Sequence, residues 1–600
     1  MTSTDTQKPS ATRVAIVGGG IAGLFCAFIL KRRGFRISLF EASDRLGGRI
    51  RTVQLDREAR ELQPSSAATQ PEFYAEFGPM RLELDKQQLL EALLSRLGIE
   101  RLGTAQCPDE AHLVDFPAYS SPSSEHDPRY ELRPEEDGKQ PLELLRIALL
   151  RVVVGLDFPH QAQAAETTVT DFKDARSALV AQVALAAAYR KPVDPVFMEW
   201  MRRSLTSEML WSIQMSGRIQ GVPLCEMGFW NLLSDHLSHD AVMKLKDLGT
   251  FYHLIPENPN AAEWFVWWLQ NFSASEKLQG VFPGMEKIID LLVKEAGLSE
   301  KQDYFLNAGV KRVCRQDDGL LSLEFGTQFA PHHGFHHVIL ALPKGPIQRI
   351  QRQSVVMREW DEDVERLLES AFGFSMVKVF VVVKKRWWTE DAVANLHATR
   401  LPTRELHYRS ARTKGNPQGL VLIYTDRPAS AFWANYLPAG GQDDLHSPTN
   451  PLPDDGTRLK RKVTQLLNEI DGVELADDDI LWFGIRDWGR SPYDGANHAW
   501  RPERKYWIVM RRLSRIGPND VGAPAIHVCG EAYSDWHGFI EGSLRSAVYA
   551  LHRIFAGAAE DTGAWLKSAI GIELDDEYRE SIESWVASLD SIQGRPGFET

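Results

Sequence analysis

The sequence predicts an α/β protein, and two features of its 600 residues support that prediction. Near the start, "RVAIVG" has the composition of a buried strand, "IAGLFCAFILKRRG" that of a helix, and "RISLFEA" that of a second strand. Further along, a helix-rich stretch at roughly 140–275 separates this unit from later strand-like segments such as "HHVILALP". Strands that alternate with helices in this way are typical of the α/β class.

Three glycines, Gly18, Gly20 and Gly23, occupy the turn between the first strand and the helix. In the GxGxxG pattern the first allows a tight turn, the second lets a pyrophosphate approach the backbone, and the third lets the helix pack closely on the sheet. The helix N-terminus offers N–H groups to phosphates. Glu41 ends the second strand, where its carboxylate can accept hydrogen bonds from a ribose. The pattern predicts a dinucleotide site; the alternative is a βαβ unit whose glycines serve packing alone.

Composition and charge exclude several classes of protein. With 43% hydrophobic and 25% charged residues and a net charge of −13, the chain has no basic stripe, so no nucleic-acid partner is expected. Its first residues lack the apolar core of a secretory signal, and no apolar run is long enough for a membrane span. Five scattered cysteines without metal-ligand spacing predict free thiols and no metal site. We therefore expect a cytoplasmic protein.

A second glycine pair selects the dinucleotide. Gly47, Gly48 and Arg49 follow in "ASDRLGGRIRT", and a nicotinamide-binding domain has no need of them. The extended pattern resembles the flavin-containing amine oxidase family, specifically its branch of L-amino acid oxidases and amino acid 2-monooxygenases. Four later segments continue the resemblance in the family's order: "EFGPMRLE", "VFPGMEKIIDLL", "LNAGVKRV" and "VCGEAYSDWHGFIEGSLRSAVYAL". The resemblance implies that the cofactor is FAD.

These segments carry the residues to which the resemblance assigns FAD binding. Gly530 and Glu531 match a pair near the ribityl-pyrophosphate region, and Val310 matches a valine on the adenine side. The complete set expected to bind the cofactor is Gly18, Gly20, Ile21, Ala22, Gly23, Glu41, Ala42, Gly48, Arg49, Gly78, Pro79, Met80, Arg81, Val310, Gly530, Glu531, Gly538, Phe539, Ile540 and Ser543.

The resemblance also implies a domain organisation, that of the GR2-type amine oxidase fold. It has a discontinuous Rossmann-like FAD-binding domain, a mixed-sheet substrate domain and a helical domain, and it forms a homodimer or a higher homo-oligomer. The expected segments are 10–85, 280–345 and 480–560 for the FAD-binding domain, 86–139 for a loop segment of the substrate domain, 140–275 for the helical domain, 346–479 for the substrate domain, and 561–600 for a helical tail.

Three residues are candidates for the substrate end of the site. The planar guanidinium of Arg81 suits a carboxylate, and it matches the arginine that binds the substrate α-carboxylate; the alternative is a buried pair with Glu76 or Glu83. Tyr424 matches a tyrosine that donates to the same carboxylate; alternatively it is a half-buried strand residue. Lys378 matches a catalytic lysine that holds a water near flavin N5; alternatively it snorkels to a sheet edge.

Aromatic residues are expected to form the walls of the site. Trp488 and Phe539 match family positions that flank the substrate in front of the flavin, and Trp500 is a further candidate. The carbonyl of Gly538 can accept a hydrogen bond from the substrate amine. Covalent members of the family attach FAD through a cysteine beside these aromatics. This sequence has none there, so noncovalent FAD is expected.

The function that the resemblance implies is that of an L-amino acid oxidase. An L-amino acid is oxidised to an imino acid, water releases a 2-oxo acid and ammonia, and dioxygen is reduced to hydrogen peroxide. One alternative is an amino acid 2-monooxygenase, which decarboxylates the substrate to an amide. Another is a noncatalytic flavoprotein scaffold, which the presence of Arg81, Lys378 and Tyr424 disfavours. His537, near the flavin turn, is interpreted as a hydrogen-bonding residue rather than a catalytic one.

Residues 228–272 leave two hypotheses open for the substrate side chain. If Asp235 faces inward, it would pair with lysine or arginine. If it and the other acids face solvent, the aromatic residues form a slot for a large apolar side chain. The acids are Asp235, Asp240 and Asp247, and the aromatics are Phe229, Trp230, Phe251, Tyr252, Trp264, Trp267 and Trp268.

Overall fold

The computed structural model describes residues 12–55, 72–101, 111–116, 128–159, 166–189, 191–248, 257–273, 278–326, 329–389, 397–398, 402–426, 429–437, 455–518, 520, 522–555 and 565–567. Its strands in chain order are β1 Arg13–Val17, β2 Arg36–Phe40, β3 Thr52–Leu55, β4 Phe73–Glu76, β5 His112–Asp115, β6 Leu156–Asp157, β7 Arg218–Ile219, β8 Val222–Pro223, β9 Gln279–Phe282, β10 Tyr304–Phe305, β11 Val310–Arg315, β12 Leu321–Phe325, β13 His332–Phe335, β14 His337–Ala341, β15 Ala371–Phe374, β16 Val377–Val383, β17 His397–Ala398, β18 Glu405–Ser410, β19 Gly419–Thr425, β20 Ile480–Asp487, β21 Asn497–Trp500 and β22 Ala525–Cys529.

The α-helices of the described residues are distributed along the chain between these strands and after the last of them. They are α1 Ile21–Arg32, α2 Gln88–Arg96, α3 Pro141–Gly155, α4 Glu166–Ala188, α5 Asp194–Ser204, α6 Ser207–Ser216, α7 Phe229–Ser234, α8 His239–Leu248, α9 Ala261–Ser273, α10 Glu286–Glu295, α11 Lys344–Gln353, α12 Val355–Trp360, α13 Val364–Leu368, α14 Ala429–Ala434, α15 Asp455–Asp471, α16 Tyr506–Leu513 and α17 Ile540–Phe555.

A parallel sheet organises the first architectural unit. Its strand order is β10-β2-β1-β14-β22, with β1 paired in parallel to β2 on one side and to β14 on the other. The strands come from the start, the middle and the end of the chain, within the three segments expected to form the FAD-binding domain. Helix α1, buried from Ile21 to Leu30, contacts α10 and α17. These apolar surfaces form one continuous core, and the α/β class is confirmed.

The close approach of α1 to the sheet depends on glycine. A Cβ atom at Gly23 would lie 2.0 Å from the backbone oxygen of Gly18. Gly18 itself has φ +108°, a conformation that favours glycine, and a Cβ there would lie 2.4 Å from the oxygen of Ala341 on β14. The packing function expected of Gly23 and the tight turn expected at Gly18 therefore agree with the geometry.

An antiparallel sheet forms the second unit. Its order is β17-β18-β19-β16-β20, and β16 is buried along its whole length. In the register of β16 with β19, Lys378 lies opposite Tyr424, and Tyr424 lies opposite Glu405 of β18. One face packs on the β3–β4 hairpin through Phe77, whose ring meets Phe380 with centroids 5.0 Å apart. This contact brings the loop after β4 to the end of the sheet where Lys378 lies.

Helices α3 to α9 account for most of the described residues between 141 and 273, in agreement with the helical spacing of the sequence. No helix among the described residues is long and apolar enough to cross a membrane, and the same residues contain no metal-binding cluster of His, Cys, Asp and Glu. Most of the expected tail at 561–600 lies outside the described residues; in residues 565–567, Trp565 and Leu566 are buried.

Candidate active site

A cavity of about 1160 Å³ runs along the carboxyl edge of the parallel sheet. Its lining includes the residues that directly follow three of the strands: Gly18 after β1, Glu41 after β2 and Gly530 after β22. In open α/β sheets, ligands bind at the carboxyl ends of the strands. The volume is at the upper end of what small-molecule sites occupy, so the cavity suits a long ligand such as a dinucleotide.

The N-terminus of α1 forms one wall of this cavity. Gly20 is the N-cap, with φ −75° and ψ 179°, and Ile21 and Ala22 of the first turn also line the cavity. A Cβ at Gly20 would meet no atom within 4 Å, so the space over its backbone is open. Backbone N–H groups at a helix N-terminus bind phosphate oxygens, and this opening gives a pyrophosphate room to reach them.

Glu41 is fixed by its own neighbourhood. One carboxylate oxygen accepts a hydrogen bond from the Gly19 N–H at 2.7 Å, and the other accepts from the N–H and hydroxyl of Ser43 at 2.9 and 2.8 Å. Among the described residues, the oxygen that accepts from Gly19 makes only this one bond and keeps a second lone pair, so Glu41 retains acceptor capacity toward the cavity that it lines. Val310, at the start of β11, lines the same cavity. This arrangement fits the ribose of an adenosine moiety.

Arg49, which is partly exposed, and the buried Glu531 form an ion pair on another wall. The Arg49 guanidinium donates to Glu531 and to the Ala496 carbonyl, both at 2.8 Å. Glu531 also accepts from the N–H and the imidazole of His498, and from the N–H of Gly538 at 3.1 Å. Burial alone would raise the pKa of Glu531, but His498 and Arg49 bring it well below its usual value. The resulting carboxylate fixes the turn that carries Gly538.

The cavity collects nearly all of the residues expected to bind the cofactor. Three of that set differ: Gly23 lies on the face of α1 that packs against the sheet, while Met80 and Arg81 line a smaller adjoining cavity. The others line the large cavity, and they are Gly18, Gly20, Ile21, Ala22, Glu41, Ala42, Gly48, Arg49, Gly78, Pro79, Val310, Gly530, Glu531, Gly538, Phe539, Ile540 and Ser543.

The smaller cavity, of about 40 Å³, is where the three substrate candidates meet. Arg81, Lys378 and Tyr424 line it together with Gly538 and Phe539. Lys378, Tyr424, Gly538 and Phe539 also line the large cavity, so the two spaces adjoin at these residues. A molecule held by Arg81 would therefore lie next to the end of a dinucleotide.

Lys378 is buried, so the alternative that it snorkels to a sheet edge is wrong. Its ammonium donates to the carbonyls of Glu76, at 2.9 Å, and Gly78, and it lies 4.7 Å from the centroid of the Tyr424 ring. Burial lowers the pKa of Lys378 to about 7; Arg81 adds to this effect, and the Glu76 carboxyl opposes it. Two of its three N–H groups are thus fixed, and the side chain lines both cavities.

Arg81 is buried beside an acid that the sequence did not suggest. Its guanidinium lies 3.9 Å from the carboxylate of Glu405. The two acids considered as its partners make other contacts: Glu76 accepts from a threonine hydroxyl and a backbone N–H, and Glu83 pairs with Lys86. No pattern in "ELHYRS" marks Glu405 as part of a site, because only its pairing with β19 brings it near Arg81.

Trp488 and Phe539 line the large cavity as expected, whereas Trp500 does not. The Trp488 indole donates to the Phe77 carbonyl at 2.7 Å, and Phe539 stacks on Trp267 of α9 with centroids 6.1 Å apart. The side chain of Trp500 is fully buried and lines neither cavity. The expectation that Trp500 forms a wall of the site is therefore wrong, because β21 directs it into the core.

Asp235 lies on the surface, so the hypothesis that it faces inward is wrong. It is the C-cap of α7. The helix buries Leu232 and Leu233, whereas Asp235 is exposed to solvent. Asp240 accepts a hydrogen bond from the N–H of Glu131, and Asp247 accepts one from the hydroxyl of Tyr130. None of these acids lines either cavity, while Phe251 and Tyr252 lie outside the described residues.

The fold and the site define a dinucleotide-binding α/β protein with a second, charged cavity beside the dinucleotide. Residues 21–554 match the family model described as flavin-containing amine oxidoreductase, and the chain belongs to that family. Its cofactor is FAD, which the cradle at Gly20, Glu41 and Arg49 fits.

Comparisons with individual proteins agree with this assignment. The L-amino-acid oxidase of Protobothrops flavoviridis is 31% identical over 151 residues, 24% of this chain and 27% of that protein. The match therefore spans about a quarter of the relative's length. Among solved structures, cyclohexylamine oxidase from Brevibacterium oxydans IH-35A has a TM-score of 0.57 and 16% identity, covering 92% of this chain and 100% of that one. Putrescine oxidase bound to putrescine has a TM-score of 0.54 and 17% identity, covering 91% and 99%. These two show the likeness of fold.

Two glycine substitutions separate cofactor binding from folding. Gly20→Ala should give a folded protein whose FAD affinity falls by about tenfold or more, because the new methyl group occupies the space of the pyrophosphate. Gly23→Ala is the contrasting variant, and its clash with Gly18 should lower the thermal midpoint of the apoprotein. FAD content, FAD titration and apoprotein melting measure both effects. If Gly20→Ala bound FAD with wild-type affinity, the pyrophosphate could not occupy the space over Gly20.

Proposed function

We propose that the protein is an FAD-dependent L-amino acid oxidase. It converts an L-amino acid, dioxygen and water to a 2-oxo acid, ammonia and hydrogen peroxide. The observation that carries the proposal is the position of Arg81, a buried cation in the small cavity that adjoins the cofactor cavity. A simple amine has no carboxylate for such a group to bind, whereas every amino acid has one.

The substrate carboxylate binds Arg81, and the Tyr424 hydroxyl donates a second hydrogen bond to it. Both side chains line the small cavity, and the guanidinium lies 6.0 Å from the centre of the Tyr424 ring. The burial of Arg81 strengthens its attraction for an anion, because little water screens it. Two anchors on one carboxylate fix the position and orientation of the Cα atom. Most of the rate enhancement arises from this positioning.

The amine of the substrate faces the carbonyl of Gly538. Because a carbonyl only accepts, this contact needs an N–H donor, and the neutral amine supplies it. Gly538 has φ +85°, and its N–H is fixed by Glu531, so the orientation of the turn is set from behind. Trp488 and Phe539 limit the access of water. When bound, noncovalent FAD supplies the two-electron oxidation of the C–N bond.

Lys378 supplies positive charge and one hydrogen-bond donor at the junction of the two cavities. The carbonyls of Glu76 and Gly78 hold two of its protons, so the third can be directed at a water molecule there. A positive charge at this point stabilises the negative charge that develops as dioxygen is reduced.

Anaerobic mixing with single L-amino acids tests the proposed function directly. The expected result is loss of the flavin absorbance with at least one L-amino acid, followed under air by equal amounts of ammonia and hydrogen peroxide. Release of carbon dioxide with an amide product would indicate an amino acid 2-monooxygenase instead. A flavin that no amino acid or amine reduces would indicate a noncatalytic scaffold.

Arg81→Ala should raise KM for the best amino acid, and kcat/KM should fall by about 30-fold to several thousandfold. This range corresponds to the roughly 2–5 kcal/mol lost when one partner of a buried charge pair is removed. FAD content should remain at the wild-type level, because Arg81 does not line the large cavity.

An amine that lacks the carboxylate is the matched control for this variant. Its slow oxidation should be similar in wild type and in Arg81→Ala. An unchanged KM for the amino acid would exclude Arg81 from carboxylate binding.

Lys378→Met should slow the oxidative half-reaction more than the reductive one. In the wild type, the rate of reoxidation should fall as pH rises through about 7, because the charge of Lys378 is lost over that range. In the variant this dependence should be absent. Stopped-flow mixing measures the two half-reactions separately, and normal reoxidation combined with slow reduction would contradict the assigned role.

A further inference from the structure

Glu405 is a buried acid next to the proposed carboxylate site. It is the first residue of β18, where it lies opposite Tyr424 of β19. Its carboxylate approaches the Arg81 guanidinium to 3.9 Å, and the two side chains are 7% and 4% exposed. Arg81 and Tyr424 line the small cavity, whereas Glu405 lines neither cavity. Glu405 is therefore placed to act on Arg81 without touching the substrate.

Charged groups from several elements surround Glu405. Arg81, Arg404 and Lys378 favour its ionised form, and the His407 imidazole lies 3.2 Å away. Other titratable or charged groups of this cluster are Glu76, Arg409 and Asp426, and Asp426 pairs with Arg404 at 3.0 Å.

The carboxyl of Glu405 can change its charge near neutral pH. Burial raises the pKa of Glu405 to about 7, although Arg81, Arg404 and Lys378 oppose the shift. Burial lowers the pKa of His407 well below its usual value, so this imidazole is neutral. A neutral imidazole can donate to a carboxylate or accept from a carboxylic acid, according to its tautomer. The contact between His407 and Glu405 is therefore compatible with both charge states.

We propose that Glu405 is the resident counterion of Arg81 and takes up one proton from solvent when a substrate carboxylate binds to that arginine. The inference rests on the proposed function, because Arg81 must be the carboxylate site. A second anion at one guanidinium places two like charges close together in a region of low dielectric, and this favours the neutral form of the resident acid. When product leaves, the proton returns to solvent and Glu405 again balances Arg81.

The geometry favours Glu405 over the other two groups that titrate in the same range. Glu76 accepts from the Met285 N–H at 2.7 Å and the Thr52 hydroxyl at 2.9 Å, and both of these bonds favour its ionised form. Lys378 is fixed by two carbonyls. The carboxylate of Glu405, by contrast, lies 3.9 Å from the Arg81 guanidinium.

Carboxylate affinity then depends on pH in a defined direction. Below about pH 7, Glu405 is already neutral, so binding needs no proton. Above that value each binding event takes up a proton, and Kd rises by up to about tenfold per pH unit. Kd stops rising once the pH exceeds the pKa of Glu405 in the complex, because Glu405 is then ionised both with and without the bound carboxylate.

Calorimetry on the FAD-loaded protein measures this uptake. The probe is 3-phenylpropanoate, which has a carboxylate but no amine and therefore does not itself titrate between pH 6 and 9. Titration in two buffers with different ionisation enthalpies gives the protons taken up, and the flavin absorbance change reports binding independently. We expect an uptake approaching about one proton at pH 8 and close to zero at pH 6.

Variants identify the group that takes up the proton. Glu405→Gln should abolish the uptake at pH 8 and tighten probe binding there by about tenfold, because glutamine does not compete for Arg81. A merely structural role would weaken binding instead. Glu405→Asp should retain the uptake. Lys378→Met is the matched comparison, since it removes another buried group that titrates near neutrality, and its uptake should persist.

The outcomes separate this inference from the proposed function. If the wild type binds the probe without proton uptake at pH 8, or if the uptake survives Glu405→Gln, the role of Glu405 is overturned while Arg81 keeps its own. The wild-type measurement decides the first point even if the variant does not fold. If the probe binds wild type and Arg81→Ala equally, the carboxylate site itself is overturned.

Discussion

The contact between Gly18 and Gly23 is the constraint on which the rest of the structure depends. A side chain at Gly23 would lie 2.0 Å from the Gly18 oxygen, and one at Gly18 would lie 2.4 Å from the Ala341 oxygen. Helix α1 therefore starts directly on the sheet, at the point where β1 meets β14. Its N–H groups and the carboxyl ends of the strands consequently face the same cavity. The cofactor site follows from this crossing, and every other functional residue takes its position relative to it.

The substrate end depends on charges that are buried together. Lys378, Glu76, Arg81 and Glu405 are all less than a tenth exposed. An isolated charge at such depth would be strongly unfavourable, but opposite charges nearby offset the cost. Burial brings the pKa of Lys378 down to about 7 and raises those of Glu76 and Glu405 to about 7. The net charge of the site therefore responds to pH and to the charge of whatever enters it.

The parts that the sequence predicted are those in which the chemistry lies within one short segment. The glycines and Glu41 belong to such a segment, so their roles could be expected from spacing, and the role of Gly530 and Glu531 was implied by a family motif that is also one short segment. The orientation of Asp235 stayed open in the sequence because only tertiary packing decides which side of a short helix faces inward. The sequence did not indicate a role for Glu405, because that role depends on its contact with Arg81, more than three hundred positions earlier in the chain. Pairings of this kind have no local pattern.

Helix α9 is linked directly to the turn that carries Gly538 and Phe539. Helix α9 supplies Trp267, which stacks on Phe539, and Glu263, which pairs with His537 in the same turn. Burial would lower the pKa of His537, but Glu263 reverses the effect and raises it, and burial raises the pKa of the Glu263 carboxyl as well. His537 thus fastens the turn of Gly538 and Phe539 to the helical region. Because α9 contacts this turn from outside both cavities, a change on that helix acts on Gly538 and Phe539 without touching a bound ligand.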